Sequence, residues 1–111
     1  MTVNTKPGEG YVEVQVDGRL VASCAEEVQA AMDAALEKSP KLLVDLSKMS
    51  HVDSSGLGVL VRALQKARSA GGCVRLACLQ PHPRIVFDIT KVFRVFEIYD
   101  TLEEARKSFA S

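Results

Sequence analysis

The chain has 111 residues, 47% hydrophobic and 25% charged, a length and composition that fit one globular domain with a real core. Fourteen Lys and Arg balance fourteen Asp and Glu, so no global field draws it to nucleic acid or to an anionic membrane. No apolar run reaches the roughly eighteen residues of a membrane span and no leader pattern opens the chain, so a cytoplasmic protein without membrane insertion is expected.

Residues 1–10, "MTVNTKPGEG", are polar and carry Pro and Gly, and are expected to form a flexible segment ahead of a domain over 11–111. "YVEVQV" alternates apolar and polar residues, as a half-exposed strand does. Asp17-Gly18 then reads as a hairpin turn into a short strand over Arg19 to Ala22. Ser23 with Glu26 fits a reciprocal helix cap, and Ala25, Val28, Met32, Ala35 and Leu36 mark the buried face of a helix ending near Lys38, before Pro40.

"KLLVDL" is almost continuously apolar, the pattern of a central strand covered on both faces, and "SKMSH" reads as a loop. The next helix places Leu57, Leu60, Val61 and Leu64 on its core face and Arg62, Gln65, Lys66 and Arg68 on the other, and stops at "AGG". "CVRLACL" is another strand. Pro83 suits the first turn of a third helix, whose apolar face would use Val86 or Phe87 and Ile89. "FEIY" is a short last strand. Thr101 and Glu104 repeat the reciprocal cap before a final helix with Leu102, Ala105 and Phe109 as its stripe.

Long crossovers between strands imply mostly parallel pairing. The fold expected is α/β: a mixed, mostly parallel sheet of about four to five strands, an N-terminal antiparallel hairpin, and about four helices packed against it. Cys24, Cys73 and Cys78 cannot all pair within the chain and read as small buried hydrophobes in a reducing compartment. His51 and His82 show no metal-ligand spacing with them, so neither metal nor cofactor is expected.

The passage "VDSSGLGVL", residues 52–60, sets an acid, two hydroxyls and two glycines where a helix begins. That is the carboxyl end of a parallel sheet, where open α/β folds place their sites. Helix-start amides and the macrodipole would tolerate an added anion there, and even slightly stabilise it. Asp53 or Ser54 could simply be the N-cap, although one cap does not require Asp, Ser and Ser together. A nucleophilic serine would need a base; His51 is near in sequence, but no third partner is apparent and the surroundings are not Gly-x-Ser-x-Gly. A phosphate cradle would need the full P-loop spacing, which is absent. A serine that accepts a modification is the fourth reading.

"VDLSKMSHVDSSGLGVLVRALQKARSAGG", with "VRLACL" and "VFEIYDTLEEA", resembles the bacterial anti-sigma factor antagonists of the STAS domain family over roughly Tyr11 to Phe109. The resemblance implies a single STAS-type domain that is not an enzyme. It implies partner switching: the unphosphorylated protein sequesters an anti-sigma factor of the serine kinase type and frees a sigma factor for transcription. Phosphorylation then releases the partner, and a PP2C-type phosphatase resets the system. The acceptor maps to Ser54, with Asp53, Ser55, Gly56, Leu57 and Gly58 as the rest of the motif. Val59 and Arg62, off the expected core stripe, are the candidate partner contacts. The sequence departs from the family at Val21, where antagonists commonly carry Asp near the acceptor. Stand-alone STAS domains also serve as constitutive docking subunits of transport or lipid-trafficking complexes, the alternative function. Some relatives interact with nucleotides, but no phosphate-binding fingerprint is visible here.

Overall fold

The computed structural model describes residues 2–110. Among the described residues six strands form one mixed sheet: β1 (Thr2–Pro7), β2 (Val12–Leu20), β3 (Lys41–Asp45), β4 (Met49–Val52), β5 (Cys73–Ala77) and β6 (Glu97–Tyr99). The order across the sheet is β1-β2-β3-β5-β6, with β4 paired to the far end of β2. Only β1 and β2 are antiparallel; every other pair is parallel. Four α-helices among the described residues pack against the sheet: α1 (Ala25–Lys38), α2 (Ser54–Ser69), α3 (Pro81–Thr90) and α4 (Leu102–Ser108).

Side chains alternate across each strand and so divide the core in two. Val12, Val14 and Val16 of β2, with Leu42 and Val44 of β3, join Met32, Leu60, Leu64 and Phe87 in the large cluster under α1, α2 and α3. Leu43, between Leu42 and Val44, faces the other way and meets Ala105 of α4 with Ala77. The near-continuous apolar run of β3 is thus explained: it lies mid-sheet and is covered on both faces. On the α4 face, Arg106 grips the buried Glu13 carboxylate through two bonds of 3.1 and 2.7 Å, and the Phe109 ring stacks on Tyr11. This arrangement fastens the C-terminal helix by polar and aromatic contacts around a small apolar centre.

The N-terminal hairpin exists, but one strand earlier than expected. Residues 2–7, expected to lie outside the fold, pair with β2 along their whole length. Their side chains are exposed except for half-buried Val3, so this edge strand carries too little apolar signal to be read from sequence. The turn is made at Gly8–Tyr11, where Gly10 has φ +83. Asp17-Gly18 is no turn. Gly18, with φ +104, begins the part of β2 that pairs with β4, and the register of that pairing shifts between Gly18 and Arg19. Positive φ serves a bulge as well as a turn, which is why the dipeptide misleads. β4 itself falls in the expected loop "SKMSH"; Met49 and Val52 are buried, but the two residues between them are exposed and mask the strand.

Ser23 and Glu26 do not cap α1. Ala22–Cys24 form a 3₁₀ turn that leads into the helix, and Cys24 occupies the cap position, its thiol donating back to the Arg19 and Val21 carbonyls and capping no helix amide. Thr101 does cap α4, its hydroxyl accepting from the Glu104 amide at 3.1 Å. In α3, Phe87 is buried as the pattern suggests and Pro83 is buried with it, but Ile89 is 75% exposed, on the opposite side of the helix. The three cysteines are free and only partly buried; burial pushes the Cys78 thiol above its ordinary range.

Candidate functional site: the start of helix α2

β4 ends at Val52, and α2 begins two residues later at the carboxyl end of the parallel strands. Asp53 makes the transition. Its backbone is extended (φ −116, ψ −175), and its carboxylate Oδ1 accepts from the Gly56 amide at 2.9 Å, an N-cap bond. Its other oxygen, Oδ2, accepts from the amide of Ala22 at 3.0 Å, thirty-one residues away in sequence. The Asp53 amide in turn donates to the Leu20 carbonyl at 3.3 Å. One side chain therefore starts α2 and ties it to the loop that leaves β2. These amide bonds, that of Gly56 foremost, hold the Asp53 carboxyl below the usual carboxylate range against the opposing effect of desolvation.

The two glycines of the motif do different work. A Cβ on Gly56 would stand 2.2 Å from the Leu20 carbonyl oxygen, so only glycine lets the first turn of α2 lie against the end of β2. A Cβ on Gly58 would meet nothing nearer than an Arg62 guanidinium nitrogen at 3.9 Å. Leu57, Val59, Leu60, Ala63, Leu64 and Ala67 are buried and anchor the helix.

Ser54 and Ser55, the first two helical residues, are exposed, and neither hydroxyl makes a hydrogen bond to another described residue. The motif thus divides cleanly. Asp53, Gly56 and Leu57 are spent on structure, while the two hydroxyls stand on the surface.

Two expectations need correction. Val59, expected as an exposed contact, is fully buried, and Val61, expected in the core, is half-buried. The buried arc of α2 is wide, running from Gly56 through Val59 to Ala67, because the helix packs against α1 as well as the sheet. The arc extends past the narrow stripe that leucines alone suggest. The second correction concerns the helix-start amides. Asp53 already occupies the Gly56 amide, so an anion on Ser54 would not find that group free.

Arg62 is exposed, as expected, and its Nε donates to Gln29 Oε1 of α1 at 2.9 Å. Lys66 reaches Asp33 of the same helix at 2.7 Å, and this bond holds the Asp33 carboxyl below its ordinary range. His51 approaches Ser50 Oγ through Nδ1 at 3.0 Å, and its ring meets that of His82 edge-on at 4.9 Å between centroids. Neither contact involves Ser54 or Ser55. Val21 lies half-exposed beside a shallow groove that also takes in Arg19, Ser23 and Glu27.

Sequence reasoning missed the Asp53–Ala22 bond and the Arg62–Gln29 bond. Both join segments far apart in the chain through partners without any local signature. Among the described residues no three His, Cys, Asp or Glu side chains are grouped to hold a metal, and no helix is long and apolar enough to cross a membrane.

The STAS domain family model matches residues 2–105. The putative anti-sigma factor antagonist BtrV of Bordetella bronchiseptica is 29% identical over 104 residues, covering 86% of this chain and 90% of that protein. The anti-sigma-B factor antagonist of Listeria monocytogenes is 30% identical over 89 residues, with 79% of this chain and 78% of that protein covered. Among solved structures, a putative anti-sigma factor antagonist from Thermotoga maritima superposes with a TM-score of 0.90 at 27% identity, covering 98% of this chain and 95% of that one. Family model, relatives and superposition agree with the mixed sheet and its motif-bearing helix: the chain belongs to the STAS domain family.

Proposed function

We propose that this protein is an anti-sigma factor antagonist whose binding is controlled by phosphorylation of Ser54. The observation that carries this reading is the division of labour at the start of α2. The Ser54 hydroxyl is exposed and unengaged, while the cap, the close packing and the apolar anchor belong to Asp53, Gly56 and Leu57. A group added to Ser54 therefore alters the surface and leaves the supports of the helix in place.

A phosphoserine carries about −1.5 to −2 charges and three acceptor oxygens. With Asp53 retaining the Gly56 amide, the dianion projects outward beside a carboxylate that is already ionised. A partner docked on this surface must either desolvate that charge or oppose it. A loss of about 3 kcal/mol weakens binding roughly a hundredfold. Unphosphorylated, the protein sequesters an anti-sigma factor of the serine kinase type and so releases a sigma factor; phosphorylated, it lets go. A PP2C-type phosphatase would find the same exposed position. In this scheme the chain is a binding module with no catalysis of its own, acting in the cytoplasm where sigma factors work. Ser55 is the neighbouring hydroxyl, and Arg62 is the polar contact of the partner surface.

Mass spectrometry after incubation with ATP and a candidate anti-sigma kinase tests the assignment. A single phosphate mapped to Ser54 is expected, and Ser54→Asp should keep a native circular dichroism spectrum while losing the partner. Modification elsewhere, or full binding by a folded Ser54→Asp, would refute it. The second reading, a constitutive docking subunit of a transport or lipid-trafficking complex, draws on Val21. That apolar residue lies half-exposed next to Ala22, where the family resemblance implies an acid. It predicts no phosphate and capture of an ATPase subunit.

A further inference from the structure

The large apolar side chains exposed among the described residues are Ile85, Ile89, Phe93 and Val95, all in α3 and the turn that follows it. Ile85 and Ile89, 55% and 75% exposed, are one helical turn apart and so share a face, opposite the buried Phe87. At Lys91 the backbone is left-handed (φ 59), and the chain turns into a 3₁₀ segment, Val92–Arg94, packed against α3. Clustering of this kind is unusual for a surface whose apolar residues are otherwise scattered.

The border of the patch is cationic. Arg68 of α2 donates to the Val95 carbonyl at 3.4 Å, the Arg94 guanidinium lies 6.0 Å from the Phe93 ring centre, and Lys91 separates Ile89 from Phe93. None of these three cations forms an ion pair with a described residue. Asp88 is the lone acid between Ile85 and Val95. In a chain of zero net charge, this is a local surplus of unpaired cations around an apolar centre.

That chemistry selects its occupant. A second copy docking through the same patch would bring like charges face to face. Recruitment to an anionic bilayer draws on clusters of about four to eight basic residues, and Arg68, Arg84, Lys91 and Arg94 reach only the lower end of that range. An amphipathic helix with an apolar stripe flanked by Asp and Glu satisfies both centre and border.

We propose that the α3 face from Ile85 to Val95 is a protein-docking surface for an acidic amphipathic helix. α3 begins beside the motif, where His82 meets His51, but the patch occupies its second half and the turn beyond. The proposal does not rest on the reading of Ser54, and Ser54→Asp leaves this surface untouched.

The test is titration of the ¹⁵N-labelled full chain with a synthetic leucine–glutamate amphipathic helix, a leucine–lysine helix of the same length serving as control. Amide shifts are expected at Arg68 and across Ile85–Val95 with the acidic peptide alone. The double variant Ile85→Glu, Ile89→Glu alters exposed positions only and should bind at least about tenfold more weakly. Should that variant misfold, Lys91→Glu with Arg94→Glu makes the same measurement through the border. Absence of shifts, equal response to the lysine peptide, or undiminished binding by the variants overturns the proposal. So do shifts at the patch with phosphatidylglycerol vesicles in place of the peptide, or concentration-dependent broadening there without any ligand.

Discussion

Helices α2 and α4 begin in the same way, an extended residue whose side-chain oxygen takes an amide three residues on, yet the two caps have different reach. Thr101 serves only its own helix, bonding the amide and the carboxylate of Glu104. Asp53 serves two segments, because its second oxygen holds Ala22 on the far side of the loop. The α4 cap lies at the edge of a helix fastened through Arg106 and Phe109, whereas the α2 cap supports a first turn whose hydroxyls face solvent. A cap that also ties down its neighbour makes a firm base for a residue that, under the proposed function, is modified without disturbing the fold.

Substitutions can break this contrast. The largest effect is expected for Gly56→Ala, whose added carbon meets the Leu20 carbonyl, a backbone atom that cannot step aside. We expect a loss of about 3 kcal/mol or more, read by chemical denaturation. Asp53→Ala comes next, at about 2 kcal/mol, the upper end for a cap, since it frees both the Gly56 and Ala22 amides; Thr101→Ala should cost about 1 kcal/mol. Equal losses for the two caps would deny Asp53 its wider reach. The acid limb of the stability curve gives a subtler readout. Because the folded state depresses the Asp53 carboxyl, its contribution is full above the unfolded value of about 4 and fades as pH falls through the lower folded value. Asp53→Asn should therefore flatten part of the stability loss below about pH 4. The smallest effect belongs to Gly58→Ala, which fills open space within a helix and should stabilise by about 0.5–1 kcal/mol.

The sequence revealed those features whose cause is local. The Thr101–Glu104 cap and the doubly covered β3 follow from neighbours a few residues apart, and each was legible. The edge strand β1 was not, because a polar strand at a sheet border needs only backbone pairing and leaves no amphipathic trace. Asp17-Gly18 was read as a hairpin turn and not as a bulge, since turn and bulge ask the same positive φ of Gly18. Val59 was misplaced because the packing of α1 against α2 widens the buried arc, and no residue within α2 announces that contact. The motif showed that its residues belong together. That Gly56 lies against Leu20, and that Asp53 reaches Ala22, depends on tertiary approach alone.

The most direct test of the account is to install phosphoserine at position 54 in the full chain and measure both fold and affinity. The account predicts an unchanged circular dichroism spectrum, amide shifts confined to the start of α2 and the adjoining Ala22 loop, and binding to the anti-sigma kinase weakened roughly a hundredfold. Undiminished binding by the phosphorylated, folded protein, or unfolding caused by the phosphate itself, would contradict it.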